Sequence, residues 1–385
     1  MAVPAETTDI FIIWGDTQLS SSDPVLGPPC IATSRCNDQV VQAQWACDRK
    51  VAENIKGVLG VGDIVFNPLD TLQYDNMTVA TNVLAGCGIP YVPTFGNHEA
   101  AAGGAAVDQP DTASDGTNYW TYYGIPADSR PWFTARGNYE EVAGPGSTQD
   151  PAGTNLYLEA NNTGARSFWG RFGSRFAVVS AEWELGARIR AASSCGNTSA
   201  TWGWAQGVMA ANPRLVFIHI THDGPCEMSA GAPQAVGCGQ WTNTLTGTAC
   251  DPTRLWKQYR DSNDNALVFL HGHRNENGGG VETNGGGFVT NIVRDSGTNA
   301  LMGGYDFTFG TRAYNANTSY GWSGRLRWQR AQRNVCLQSI RTVNATVALP
   351  AVQTVYPLAA PDIDRPTNSN TAETCVPLVL PLALR

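Results

Sequence analysis

The chain has five histidines, and each falls in a short polar segment that closes an apolar stretch. His98 sits in "GNHE" (96–99), His219 and His222 in "IHITHDGP" (218–225), and His271 and His273 around "HGHRN" (271–275). Two more segments of the same build carry acids instead. They are "GDTQ" (15–18), with Asp16 and Gln18, and Gly62-Asp63 after "VLGV". Imidazole nitrogens, carboxylates and amide oxygens are the donors that hold divalent cations. A histidine standing beside them can also move a proton. Such a set suits either a corner where strands hand ligands to a metal or merely polar turns that happen to contain His.

The elements that must bring these residues together are legible in outline. Residues 9–15, "DIFIIWG", predict a buried strand running straight into Asp16. After a Pro- and Cys-rich loop, residues 37–58 place Val41, Trp45, Ala52, Ile55 and Val58 at roughly helical spacing, with Asp38 near the start. "VLGVGDIVF" (58–66) predicts a strand, "DNMTVATNVLAGCG" (75–88) a helix stopped by glycine, and "IPYVPTFGNHE" (89–99) a further strand. Each of these units delivers polar residues at the C-terminal end of a strand, where open α/β sheets build their sites.

Residues 100–165 are rich in Gly, Ala, Asp and aromatics, without clear periodicity, and predict a long excursion over the site. The aromatics of "NYWTYYGIPADSRPWF" (118–133) suit either a cleft wall or ordinary loop packing. Strand character returns at 175–183 and 214–225, with helices expected at 201–213 and 252–262 before the apolar run that leads into His271. His219 precedes His222 by three residues on one strand, so the two face opposite ways and His219 reads as a packed histidine. Beyond about residue 305 short alternating runs predict β structure, and the last 35 residues are Pro-rich.

Composition narrows the function classes. With 385 residues, 42% of them hydrophobic, the chain can bury a substantial core. No apolar run reaches the roughly 18 residues that a membrane-spanning helix needs. The net charge is −8, and 3 Lys stand against 22 Arg with no basic stripe, which argues against a dedicated nucleic-acid surface. An anionic substrate would have to be held by local cations rather than drawn in by the global field. The ten cysteines are even in number and show no C-x-x-C pair, so disulfides in an oxidising compartment are expected, with connectivity left open. The N-terminal residues show no charged and apolar export segment, so any export signal is expected to have been removed. Five N-x-S/T sequons, at Asn76, Asn161, Asn197, Asn317 and Asn344, are unsurprising in a chain this rich in Asn and Thr.

In this order the five segments resemble the calcineurin-like metallophosphoesterase superfamily, of the purple acid phosphatase and phosphodiesterase kind, from residue 9 to about 300. That family carries D-x-H, G-D, G-N-H-[D/E], a lone His after a strand, and G-H-x-H. The resemblance implies an α/β fold, a four-layer α/β/β/α sandwich of two mixed sheets. It implies a domain over 9–304, with a β-rich extension, 305–385, packed on or beside it. The implied activity is that of a secreted, metal-dependent phosphoric ester hydrolase, a phosphomonoesterase or phosphodiesterase. Metal-activated hydroxide would attack phosphorus in line, and no phospho-enzyme would form.

By resemblance Asp63 bridges one or two divalent ions (Mn, Mg, Ca, Zn or Fe). The second ion takes Asn97, His222 and His273 with it, and the first takes Asp16 together with positions 18 and 275. His98 would act on the phosphoryl oxygens or leaving group, with Glu99 orienting it. Arg274, which the resemblance does not assign, suits either contact with a substrate phosphate or a plain surface position. The chain departs from the pattern at positions 18 and 275, which carry Gln18 and Asn275 where the family often has His. Amide oxygens in place of imidazoles make a harder, weaker site for the first ion. A second register would seat His271 and His273 in G-H-x-H, although Gly272 before His273 suits the tight turn better. The thinned first site also opens a different reading: a non-catalytic secreted binding or structural protein on the same fold. Loops 20–48, 100–165 and 224–250 would set specificity for a small phosphorylated substrate.

Overall fold

The computed structural model describes residues 8–15, 17, 36–65, 67–100, 118, 122–123, 147–149, 156–159, 168–172, 176–181, 200–222, 228–229, 232–233, 264–272, 288–293, 299–304, 322–329, 334–341 and 374–377. Four helices are labelled here: α1 (Cys36–Glu53), α2 (Thr71–Gly86), α3 (Asn97–Ala100) and α4 (Ala200–Ala211). The strands run β1 (Asp9–Trp14), β2 (Ile55–Gly60), β3 (Tyr91–Val92), β4 (Ser147–Gln149), β5 (Leu156–Glu159), β6 (Phe168–Phe172), β7 (Phe176–Ala181) and β8 (Val216–Thr221). They continue with β9 (Met228–Ser229), β10 (Ala232–Pro233), β11 (Ala266–His271), β12 (Phe288–Val293), β13 (Asn299–Gly304), β14 (Trp322–Gln329), β15 (Asn334–Arg341) and β16 (Thr374–Pro377).

Both large sheets are mixed. The first has the order β16-β15-β14-β1-β2-β3, with β1, β2 and β3 parallel and β14 antiparallel to β1. Strands from beyond residue 305 thus form half of this sheet, and Leu326 of β14 lies opposite Phe11. The second sheet has the order β12-β13-β11-β8-β7-β6-β5-β4, and its centre, β7, β8, β11 and β13, is parallel. A separate two-stranded ribbon pairs β9 with β10.

Alternation along the strands decides which side chains meet between the sheets. Phe11 of the first sheet packs edge-on to Phe172 and Phe176 of the second, with centroids 5.2 and 5.8 Å apart. Phe176 in turn meets Trp328 at 5.9 Å. Val178, Ile218, Ile220, Val268 and Leu270 complete that layer. Each such side chain is worth about 1.5–3 kcal/mol on full burial. On the outer sides, α1 and α2 bury Ala43, Trp45, Ala46, Tyr74, Met77 and Leu84, while α4 buries Ala205, Val208 and Met209 beside β7. The architecture is therefore the α/β/β/α sandwich the sequence predicted.

Element boundaries differ from the sequence reading for local reasons. Ile55 and Val58 belong to β2 rather than to the first helix, because Asn54 breaks α1 with a φ of 53°. Its side-chain amide donates to the Thr8 carbonyl (3.0 Å) and Asp9 Oδ1 (2.8 Å), which fastens the helix end to the start of β1. The second helix starts earlier than residue 75. Asp70 caps it by accepting from Leu72 N at 3.1 Å, and Gln73 Nε2 reaches back to Asp70 Oδ2 at 3.1 Å. Such a cap contributes about 1 kcal/mol. β3 is short because Pro90 and Pro93, which lack amide donors, bound it.

Two disulfides lie among the described residues, Cys47–Cys87 and Cys336–Cys375. The first joins α1 to the end of α2, where Lys50 Nζ also donates to the Cys87 and Gly88 carbonyls at 2.7 and 2.9 Å. The second links directly opposed residues of β15 and β16. Tyr122 stacks on Tyr74 at 5.0 Å and donates to Asp75 Oδ1 at 2.6 Å, and Tyr123 is buried; both pack against α2. Asn76 is buried within α2, so that sequon is closed to modification in the folded chain. Among the described residues no helix is long and apolar enough to cross a membrane. The helix expected at 252–262 lies outside the described residues.

Candidate functional site

Asp63 is placed by an unusual backbone. Gly62 and Asp63 both take positive φ, 100° and 46°, so the chain turns sharply as it leaves β2 and carries the Asp63 carboxylate back over the strand ends. Gly62 has a second reason to be glycine: a Cβ there would collide with the His222 ring. Gly96 is equally constrained, because its Cβ would run into the backbone nitrogen and Oδ1 of Asp63. The two glycines of the "GD" and "GNHE" segments therefore let three loops close on one another.

What closes is a small cluster of buried polar side chains. Asp63, Glu99 and His222 are all buried. Asp63 Oδ1 stands 3.0 Å from His222 Nε2 and accepts the His98 backbone amide at 3.0 Å. Asp63 Oδ2 lies 3.8 Å from His98 Nε2, and the His98 side chain keeps partial access to solvent. Val61 N donates to the Trp14 carbonyl at 3.2 Å, and the Thr17 hydroxyl donates to the Ile64 carbonyl at 3.3 Å. Those bonds bind the end of β1 to the Asp63 loop.

His222 follows β8 directly, and its Nδ1 lies 2.9 Å from the Val61 carbonyl. A carbonyl only accepts, so Nδ1 carries the proton and Nε2 turns its lone pair toward Asp63. A lone pair and a carboxylate oxygen at 3.0 Å need a positive charge between or upon them. A second proton on the ring would supply it, and so would a metal cation. A ligating histidine whose other nitrogen is fixed by a backbone carbonyl is the usual way to hold a metal. Nitrogen and oxygen ligands about 2.0–2.2 Å from a common ion also stand near 3 Å from each other. The residues present therefore fit a cation.

Glu99 takes a bracing part. Its Oε2 accepts Gly96 N at 2.7 Å and its Oε1 accepts Val65 N at 3.0 Å, so one buried carboxyl joins the Asp63 loop to the α3 turn. Burial and the adjacent Asp63 carboxylate push its pKa up, to about 8, against the pull of the two amides and of His222. Asn97 opens α3, next to His98. Of the other residues singled out by sequence, Asp16, Gln18, His273, Arg274 and Asn275 lie outside the described residues. Among the described residues no three His, Cys, Asp or Glu side chains are grouped as a complete metal site.

Two further described histidines lie on the second sheet. His219 is buried on the outer face of the second sheet, 6.0 Å from the Phe269 ring, and burial alone lowers its pKa to about 3. His271 is buried at the end of β11, with Nδ1 3.2 Å from the Gly272 carbonyl. Gly272 N donates to the His222 carbonyl at 3.1 Å, which seats the end of β11 beside the cluster. Sequence reasoning passed over Thr17, Val65, Thr94 and Ser180. Their roles depend on partners distant along the chain, and composition carries no signal for them.

No protein-family model matches the chain, and no curated protein sequence matches it. Solved structures do align with it. A purple acid phosphatase from yellow lupin (Lupinus luteus) seeds is 15% identical over 89% of this chain, with a TM-score of 0.46. This chain covers 53% of the lupin protein, about half its length. A dimetal phosphatase from Danio rerio is 12% identical over 88% of this chain and 98% of its own, also at 0.46. The anchor protein GAP50 of the Plasmodium inner membrane complex is 9% identical over 89% of this chain and 87% of its own, at 0.41.

Proposed function

We propose that the chain is a secreted, metal-dependent phosphoric ester hydrolase of the calcineurin-like metallophosphoesterase kind. The observation that carries this reading is the contact between Asp63 Oδ1 and His222 Nε2, held from behind by the His98 amide and the Val61 carbonyl. The proposed ligands are Asp63, Asn97, His222 and His273 for one ion, with Asp16, Gln18 and Asn275 joining Asp63 for the other. A bound divalent cation would supply Lewis-acid polarisation of the phosphoryl group and lower the pKa of water.

The chain's own residues would do the rest. His98, partly exposed and beside Asp63, is placed to donate to a phosphoryl oxygen or protonate the leaving group. Glu99 would keep the two loops at a fixed separation through its paired amide bonds. Burial holds the Asp63 and His222 side chains in place, and Arg274 is proposed to meet the substrate phosphate. Disulfides favour an oxidising, extracellular setting. Residues 9–304 are proposed as the catalytic unit, completed by strands from 305–385.

A second reading, a non-catalytic binding or structural protein, is favoured by one specific feature. Gln18 and Asn275 replace imidazoles that would serve the first ion. Elemental analysis of purified protein, followed by a screen of nitrophenyl phosphate mono-, di- and triesters with Mn²⁺, Mg²⁺, Ca²⁺, Zn²⁺ or Fe²⁺ added after chelation, separates the two. Turnover that a chelator abolishes and a metal restores supports the enzyme. No turnover with any metal leaves the scaffold.

A further inference from the structure

The two halves of the candidate site come from different sheets: His222 from the second, Asn97 and His98 from the first. Something must fix the gap between them. Apolar packing sets it only loosely, since such contacts are non-directional. Between the sheets, two hydroxyls meet. Ser180 Oγ donates to the Pro93 carbonyl at 2.8 Å and lies 3.2 Å from Thr94 Oγ1. Ser180 and Thr94 are both fully buried.

The positions matter on both sides. Ser180 is the penultimate residue of β7, and its registered neighbour on β8 is Ile220, two residues before His222. Thr94 follows β3, where the chain has left the ladder of the first sheet, and stands three residues before Asn97. Pro93 has no amide with which to extend that ladder. One hydroxyl thus ties the stretch that delivers Asn97 and His98 to the strand pair that delivers His222.

We propose that Ser180 is a positioning residue, which through Pro93 and Thr94 sets the distance between the His222 side and the Asn97–His98 side of the site. In its consequence for metal binding the inference rests on the function proposed above; in its consequence for the 93–100 turn it does not. The test compares the full-length wild type with Ser180→Ala and with Thr94→Ser, which keeps its hydroxyl. Amide hydrogen exchange of peptides covering 93–100 should rise at least about fivefold in Ser180→Ala, with β1 and β8 peptides unchanged. Thr94→Ser should stay near wild type. Mn²⁺ affinity, measured by calorimetry, should fall about tenfold in Ser180→Ala alone. Unchanged exchange at 93–100 overturns the proposal, as does an exchange rise spread evenly over the chain. Wild-type Mn²⁺ affinity in Ser180→Ala, with the wild type binding, overturns the positioning role. A wild type that binds no divalent cation defeats the proposed function instead, and the exchange result then decides the latch by itself.

Discussion

Asp63 and His222 are 159 residues apart in sequence and reach each other from opposite sheets, Oδ1 to Nε2, at 3.0 Å. Neither side chain is free to move: the His98 amide holds the carboxylate and the Val61 carbonyl holds the ring. A pair so fixed, with a ring lone pair aimed at a carboxylate, is pre-organised for a cation. Losing a mere supporting partner of a metal ligand costs about 10–100-fold, so losing a carboxylate proposed as a ligand itself is expected to cost more. Asp63→Asn is expected to lower metal-stimulated ester hydrolysis by more than about 100-fold, with metal content falling in parallel. Full metal content and wild-type turnover in that variant would defeat the assignment.

Gly62 and Gly96 make a second, purely steric prediction. Alanine at 62 combines a φ of 100° with a Cβ driven into the His222 ring. The backbone cost is about 1–3 kcal/mol, and the ring must also turn from Asp63. Alanine at 96 meets the Asp63 backbone itself, which cannot rotate aside. Gly207, on α4, has open space around its Cβ position and serves as the control. Urea unfolding should rank Gly207→Ala nearest to wild type and both other variants well below it. Equal stabilities would mean that the loops do not close as described.

How much of this was legible in the sequence follows from how far apart the partners lie. Glycine next to an acid, and glycine before Asn-His-Glu, mark tight turns on sight; that each glycine makes room for the other loop does not show until the sheets are stacked. The helix cap at Asp70 and Gln73 is local, three residues apart, but the apolar run after it gives the stronger signal. Asn54 is hidden for the opposite reason. Ile55 and Val58 continue a helical spacing, and only the left-handed turn at Asn54 hands them to β2. The pairing of β14 with β1, some 300 residues away, leaves no local mark at all.

Glu99 gives a prediction about bracing. Both of its oxygens accept backbone amides, one on each loop. Glu99→Gln keeps one acceptor and turns an NH₂ group toward the other amide, leaving a buried donor facing a donor. The expected loss is about 1–3 kcal/mol, accompanied by a drop in turnover as the loops separate. The denaturation midpoint and kcat are the measurements. A variant with an unchanged midpoint would mean that these two hydrogen bonds do not brace the loops.

His219 sets a pH dependence whose sign can be worked out. Burial among apolar neighbours lowers its pKa from 6.5 to about 3 in the folded chain. Between those values the unfolded chain holds a proton on this residue that the folded chain refuses, so acid favours unfolding. The neutral ring's contribution is complete above about pH 6.5 and is lost as the pH falls toward 3, by at most about tenfold in the folding equilibrium per unit. His219→Phe removes the titrating group from the same apolar surroundings beside Phe269. Unfolding midpoints of the wild type and His219→Phe should therefore diverge as the pH is lowered from 6.5 to 4, the wild type losing more, and run parallel above pH 7. Parallel curves throughout would mean that the ring reaches solvent or a proton acceptor and is not held neutral by burial.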